Sequence, residues 1–353
     1  MKLLVLTTSW PRFEGDPAGA FVAEMTESLT VHGFESEVLA LDTPPEGALR
    51  TFQDGRYLRL SSAMGRLLWE AQRAKADAVL SHWLVPSVLI GATLGLPQVG
   101  VAHGGDVRLL AKMPRLRRWI SGTLAGAIVV SQSAADLLEV PRTLVTPMGV
   151  HASDLGPPAP MPEGPLRLLF LGRLVPIKGL ATLLEAVRGV SDVQLTVAGD
   201  GPEGRLARHA PDNVRFIGAV TLGQRRALFA RHHVLCVPSL AGEGAPRVVA
   251  ESWAAGRPVL ASSVGGLNDG VPPEWRVPPG AVSAWREQVL RLRGMSHRIS
   301  CPVSPDTLDW EVVGSRIADF LHDTLGSSAR SKMQSKMNRR AGTRVGRLIA
   351  GGA

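Results

Sequence analysis

The chain of 353 residues carries 39 lysines and arginines against 31 acids, a formal net charge of +8, with 45% hydrophobic residues and 38 glycines. That length suits about two globular domains, and with no run of about 18 apolar residues no membrane-spanning helix is expected. Two cysteines, Cys236 and Cys301, are too few for a disulfide framework or a zinc site and suit a reducing cytoplasm.

Most of the excess charge lies at the end of the chain. Arg330, Lys332, Lys336, Arg339, Arg340, Arg344 and Arg347 occur after Ser327 with no acid among them, so the body is near neutral and a nucleic-acid partner is not expected. The polar tail reads as a disordered extension. Its sharper reading is a foothold on anionic membrane, at about 1 kcal/mol per basic residue near such a surface.

At the start of the chain, Lys2–Thr8 has the pattern of a buried strand rather than of a signal peptide. The loop Trp10-Pro-Arg-Phe-Glu-Gly-Asp-Pro-Ala-Gly-Ala20 leads into a helix with Phe21, Val22, Met25 and Leu29 on one face, ended by Gly33. A strand, a glycine-bearing turn and a helix open a nucleotide-handling α/β domain, where Gly19 lets the backbone approach a ligand. Next come a strand at Ser36–Leu41, a Pro/Gly segment at Thr43–Ala48, an undefined stretch to about Ser62 and a helix at Met64–Lys75.

Strands at Ala78–Ser81 and Pro97–Ala102 end in His82 and in His103-Gly104-Gly105-Asp106. Parallel sheets place ligands just beyond the carboxyl ends of their strands, which makes both histidines candidates. His103 ranks above His82, read as a packing or acceptor-side residue. Neutral imidazole both donates and accepts, and so suits a hydroxyl-rich ligand. Strands at Ala127–Ser131 and Arg142–Pro147 follow. The segment Gly156–Pro165, with five prolines in nine residues from Pro157, is a stiff crossing between domains.

The second half opens with a strand at Leu166–Leu171 and the loop Gly172-Arg173-Leu-Val-Pro-Ile-Lys178-Gly179. Leu180, Leu183, Leu184 and Val187 then form one helical face. Surface cations are commonly just solvated, but two of them five residues apart at a helix N-terminus also make a diphosphate clamp. The strand Val193–Ala198 runs into Gly199-Asp-Gly201-Pro-Glu-Gly204, formally G-x-G-x-x-G. As a dinucleotide fingerprint it is weak, because it is not in the first βα unit, Pro202 occupies the turn and no acid follows about 20 residues on. A strand at Asn213–Ile217 leads to Gly218-Ala-Val220.

The most informative stretch begins after the strand Val234–Val237, with Pro238-Ser-Leu-Ala-Gly-Glu243-Gly244-Ala245-Pro246-Arg247. A helix entered at Pro246 carries Glu251, Gly256 stops it and Pro258 starts the next strand. One carboxylate in the loop, a second on the helix and free N–H groups between them suit a polyhydroxylated molecule bearing a diphosphate. Helices at Ser283–Leu292 and Trp310–Leu325 close the chain.

Glu243-(seven residues)-Glu251, framed by Pro238-Ser and Ala254-x-Gly-x-Pro-Val, resembles the donor-site signature of retaining GT-B glycosyltransferases of family 4. So do Gly172-Arg-Leu-x-x-x-Lys-Gly, His103-Gly-x-Asp and the Gly199-x-Gly-Pro turn, while the Trp10–Glu24 stretch is similar to the N-terminal signature of one branch. The resemblance implies two Rossmann-like βαβ domains of an α/β class facing across a cleft: an acceptor-side domain over 1–155, a linker over 156–165 and a nucleotide-sugar domain over 166–308. A helix at 309–326 would cross back to the first domain, ahead of a basic tail over 327–353.

By the same resemblance Arg173 and Lys178 hold the donor pyrophosphate and stabilise its departure. Glu243 contacts the donor sugar, Glu251 the ribose hydroxyls, and His103 the reacting end of the sugar. Gly199, Gly201, Gly218 and Val220 lie near the nucleotide, with Gly19, Gly244, Ala245, Pro246 and Arg247 along the cleft. Three departures stand out. Pro147-Met148-Gly-Val-His151 replaces the family's Pro-Asn-Gly-Val-Asp, which keeps the turn and loses its polar contacts. Asp269 stands where the family has Glu, and Arg247 adds a charge that would favour an acidic sugar or a second phosphate contact.

The implied activity is transfer of a sugar, with retention and without a cofactor or metal, from a nucleotide-diphosphate sugar to a glycan or lipid-linked acceptor. The implied setting is cell-surface polysaccharide or glycolipid synthesis in the cytoplasm, peripheral to the inner face of the membrane. The rival readings are an inactive carbohydrate-binding scaffold, a sugar-nucleotide epimerase and an NAD-dependent oxidoreductase.

Overall fold

A computed structural model describes residues 1–12, 19–41, 57–302 and 308–326. The loop segment 13–18, the Pro/Gly segment Thr43–Ala48 and the basic tail lie outside the described residues.

Two separate six-stranded sheets account for the architecture. The first contains β1 (Lys2–Thr7), β2 (Glu35–Ala40), β3 (Ala78–His82), β4 (Gln98–Ala102), β5 (Gly126–Val129) and β6 (Thr143–Val145) in the order β2-β1-β3-β4-β5-β6. The second contains β7 (Leu166–Leu171), β8 (Val193–Ala198), β9 (Val214–Gly218), β10 (Val234–Val237), β11 (Val259–Ser262) and β12 (Arg276–Val277) in the order β12-β11-β10-β7-β8-β9. Every pairing is parallel. Parallel strands need helical crossovers that cover both faces, which is why Leu3–Leu6 of β1 and Leu168–Leu171 of β7 are continuous apolar runs rather than alternating ones.

The strands fall within a few residues of their expected bounds. The helix expected from Met64 begins earlier and spans Tyr57–Arg73, so part of the undefined stretch is helical. The chain from Tyr57 to Met64 contains neither proline nor glycine to stop it.

The helix at 310–326 packs on the first domain, burying Trp310, Val313, Ile317, Leu321 and Leu325 against β1 and against Val22, Met25 and Leu29 of the helix Ala20–Val31. Each such fully buried side chain is worth roughly 1.5–3 kcal/mol of apolar burial. The two helices approach closely. A Cβ on Gly314 would stand 1.8 Å from Ser28 Oγ, which itself donates to the Trp310 carbonyl at 3.2 Å.

The chain crosses between domains twice, and the two crossings are bonded together. Val150 N donates to Leu308 O at 3.0 Å, and Trp310 N donates to Val150 O at 3.1 Å. Val150 and Leu155 already pack with Leu308 and with Phe229 and Leu235 of the second domain, ahead of the proline-rich segment. Arg257, 2% exposed, fastens that segment by donating to Pro160 O and Phe229 O, both at 2.9 Å.

Candidate active site

The strand-end loops of the second sheet are locked to one another through glycines. Gly179 sits at φ 67°, and a Cβ there would lie 2.0 Å from Pro238 O. Leu240 N donates to Ile177 O at 2.8 Å, tying the cationic loop to the loop of Glu243. Gly199, at φ 148°, would put a Cβ 1.8 Å from Gly172 O, and Gly201 would put one 2.5 Å from Leu174 O. Leu174 N bonds Asp200 O, Glu203 N bonds Leu174 O, and Gly199 N bonds Gly218 O at 2.7 Å. The expected sites Gly199, Gly201 and Gly218 therefore belong to one platform with Arg173 and Lys178. The approach that Gly201 would grant a pyrophosphate in a dinucleotide site is taken by the Leu174 backbone, which weighs against the NAD reading.

On this platform Lys178 Nζ pairs with Glu243 Oε1 at 2.5 Å, and Ser239 Oγ donates to the same oxygen at 2.5 Å. The two expected cations are thus not joined as a clamp in this structure. Lys178 is committed to Glu243, whereas Arg173 is exposed and has no side-chain partner among the described residues.

Glu251 lies on the helix Arg247–Ala254 and is 4% exposed. Pro246 is the residue that caps this helix rather than its first turn, because its ψ of 124° is extended. Glu251 Oε1 takes Arg225 Nη1 at 2.5 Å and has Arg247 Nε at 3.7 Å, while its Oε2 is buried with no partner. Arg247 reaches across the cleft, with Nη2 2.9 Å from Glu24 Oε1 and 2.8 Å from Oε2. Trp310 Nε1 also donates to Glu24 Oε2, at 2.8 Å. The extra charge expected of Arg247 is therefore neutralised by two carboxylates, one from each domain.

His103 faces Glu251 across a cavity of about 280 Å³ whose walls include Phe21, His103, Met148, Arg225, Ala245 and Glu251. Arg173, Lys178, Glu243 and Val220 do not line it. Ala20 does, next to Gly19, whose φ of 72° starts the helix and whose Cβ would meet Ser9 O at 2.5 Å. Met148 brings an apolar wall where a polar contact was expected to be missing. The two domains touch at Gly104 and Gly244, where a Cβ on Gly104 would lie 3.1 Å from Gly244 Cα. Asp269, which stands where the resemblance has Glu, accepts from Gln132 N of the first domain at 2.7 Å.

Asp106 shapes the loop that presents His103. Its Oδ1 accepts from the backbone N–H groups of His103, Gly104 and Val107 at 3.0–3.1 Å, and its Oδ2 from Leu84 N at 3.1 Å. Burial pushes its carboxyl up, and these bonds oppose the push. Burial lowers His103 to about 3 and holds His82 well below its ordinary value, so both imidazoles are neutral near pH 7. His82 Nδ1 lies 3.1 Å from His103 Nε2.

Sequence reasoning missed Arg225, Glu24, Ser239 and Phe21, and underrated His82. Ser239 had a local signal as the serine of Pro238-Ser, and Phe21 and Glu24 had one as members of the Trp10–Glu24 stretch, though none was given a role; Arg225 sits on a largely polar helix and had none. Among the described residues no group of three or more His, Cys, Asp or Glu is placed to hold a metal ion. No described helix is long and apolar enough to cross a membrane.

Residues 165–294 match the family model described as Glycosyl transferases group 1. The chain is 33% identical over 252 residues to the phosphatidyl-myo-inositol mannosyltransferase of Mycobacterium leprae, a match covering 62% of this chain and 64% of that protein, so it spans just under two thirds of that relative's length. In structure it is similar to sucrose-phosphate synthase from Thermosynechococcus elongatus, with a TM-score of 0.66 at 19% identity over 98% of this chain and 100% of that one. It is similar also to Anabaena HepE in complex with UDP-glucose, with a TM-score of 0.60 at 16% identity over 95% and 100%. At these identities the likeness is one of fold, and the fold is GT-B.

Proposed function

Since residues 165–294 match the family model of the group 1 glycosyl transferases, we propose that the chain transfers a sugar from a nucleotide-diphosphate sugar to a hydroxyl of a glycan or lipid-linked acceptor, in glycolipid or polysaccharide synthesis. One observation carries the reading. A buried glutamate with an unpartnered oxygen, Glu251, shares a cavity with a neutral histidine, His103, where the strand ends of two parallel sheets meet.

Glu251 Oε2 accepts hydrogen bonds from the donor ribose, which supplies the partner that this oxygen lacks. The pyrophosphate takes Lys178 from Glu243 and is joined by Arg173. Freed of Lys178, Glu243 accepts from hydroxyls of the sugar. As the bond from the anomeric carbon to the phosphate oxygen breaks, negative charge grows on the departing diphosphate, and the two cations stabilise it. The acceptor oxygen bonds to the anomeric carbon on the face the phosphate leaves, its proton passes to a phosphate oxygen, and the configuration is retained. No described side chain is required as the base.

The test is to incubate the protein with UDP-, GDP- and ADP-sugars and an acceptor panel and to read nucleoside diphosphate release and the anomer formed. An inverted product refutes the front-face course. Binding without release supports the inactive scaffold, and release of an epimerised sugar supports the epimerase. We place the reaction in the cytoplasm at the inner membrane face, held there by the basic tail. Co-sedimentation with phosphatidylglycerol vesicles, with and without residues 327–353, checks that contact.

A further inference from the structure

Two histidines meet at the cavity, and only one of them can touch a ligand. His103 lines it, while His82 is fully buried behind, with Nδ1 3.1 Å from His103 Nε2. The rings lie nearly parallel, with 13° between their planes and centroids 5.3 Å apart, and meet edge to edge through these nitrogens. Phe21 and Trp83 close on His103 with ring centroids at 4.8 and 4.7 Å, so its imidazole has little freedom to turn. The strand end bearing His82 is pinned as well, through Ser87 Oγ donating to His82 O at 2.7 Å.

The shared bond needs one proton, and two arrangements supply it. If His103 Nε2–H donates, His82 must carry its own proton on Nε2, which is buried and has no partner. If His82 Nδ1–H donates, the unpartnered His82 Nε2 is a bare lone pair. Stranding an N–H in the interior costs the full desolvation of a donor, and orphaned buried N–H groups are rarer than under-used acceptors. The second arrangement is therefore the stable one. It puts the proton of His103 on Nδ1, a nitrogen that no described residue bonds.

We propose that His82 is a positioning residue whose Nδ1–H fixes His103 as the Nδ1–H tautomer, making His103 a hydrogen-bond donor to an oxygen of the bound sugar or acceptor. The inference rests on the glycosyltransferase reading for the identity of that oxygen, but the tautomer itself does not. Neutral free histidine favours the Nε2–H form, so the pairing selects the less common tautomer and aims it at the cavity.

Two-bond ¹H–¹⁵N correlation spectra of the full chain, labelled with ¹⁵N-histidine and without ligand, test this. The expected result is Nδ1 protonated in both His82 and His103. In His82→Leu, His103 reverts mainly to Nε2–H; in His82→Asn, whose amide places an N–H near the lost Nδ1–H, it stays Nδ1–H. With whichever of UDP-glucose, UDP-galactose or GDP-mannose is turned over, kcat falls on the order of tenfold to a hundredfold in His82→Leu at unchanged KM and recovers in His82→Asn.

A wild-type His103 protonated on Nε2, or one whose tautomer is the same in His82→Leu, overturns the proposal. So does a loss of activity in His82→Leu that His82→Asn does not restore. Should His82→Leu fail to fold, the wild-type and His82→Asn spectra still decide. Failure of every nucleotide sugar to react overturns the glycosyltransferase reading and leaves the tautomer standing.

Discussion

Acid should loosen the first domain through its two neutral histidines. Both have folded values below the ordinary 6.5, His103 at about 3, so their contribution is present above pH 6.5 and is lost as the pH falls from there toward 3. Between pH 7 and pH 5 the unfolded chain gains about 0.7 proton at each histidine and the folded one almost none, worth about 2 kcal/mol apiece. His103 is partly open to the cavity, which reduces the pair to about 3 kcal/mol. His232 and His233 of the second domain are also lowered by burial and add a slope of their own. Asp106, raised by burial, acts with the opposite sign nearer pH 4. The assay is therefore a difference: urea midpoints at pH 7 and pH 5 for the wild type, for His82→Asn and for His82→Asn with His103→Gln. Each removal should recover about half of the share of the acid loss that this pair accounts for, leaving the share of His232 and His233 in place. A double variant as acid-sensitive as the wild type refutes the reasoning.

Gly199→Ala should cost about 3 kcal/mol by thermal or urea melts, because its Cβ would lie 1.8 Å from Gly172 O at a φ that side chains avoid. Gly204→Ala, with Leu174 Cδ1 at 3.8 Å as its nearest neighbour, should stay within about 1 kcal/mol. Glu251→Gln should raise the donor KM on the order of tenfold, read by steady-state kinetics, and lower stability through the Arg225 it leaves unpaired. A double-mutant cycle of Glu24→Gln with Arg247→Met should give a coupling of about 1–2 kcal/mol in the melting free energy, and a coupling near zero would show that the cross-cleft pair does not join the domains.

Much of the fold was legible because its signals are local. Leu3, Leu4, Val5 and Leu6 make an unbroken apolar strand, and the Gly179, Gly199 and Gly201 turns announce places where the backbone comes close to something. What the glycines approach could not be read, since it is neighbouring loops rather than only a ligand. The candidate carboxylates and cations were readable as residue types, but their pairing was not. Arg247 lies 223 residues from Glu24 and Lys178 lies 65 from Glu243, so each bond depends on how separate layers dock. Arg225 was invisible for the same reason: it stands on a solvent-patterned helix until the helix bearing Glu251 is laid beside it.

The reciprocal bonds between Val150 and the backbone of Leu308 and Trp310 set how the halves can move. A single tether would let one half twist and drift over the other. Two strands of chain stitched side by side leave a swing about one pivot as the soft motion. Any opening of the cleft by that swing must part Arg247 from Glu24, the ion pair that spans it.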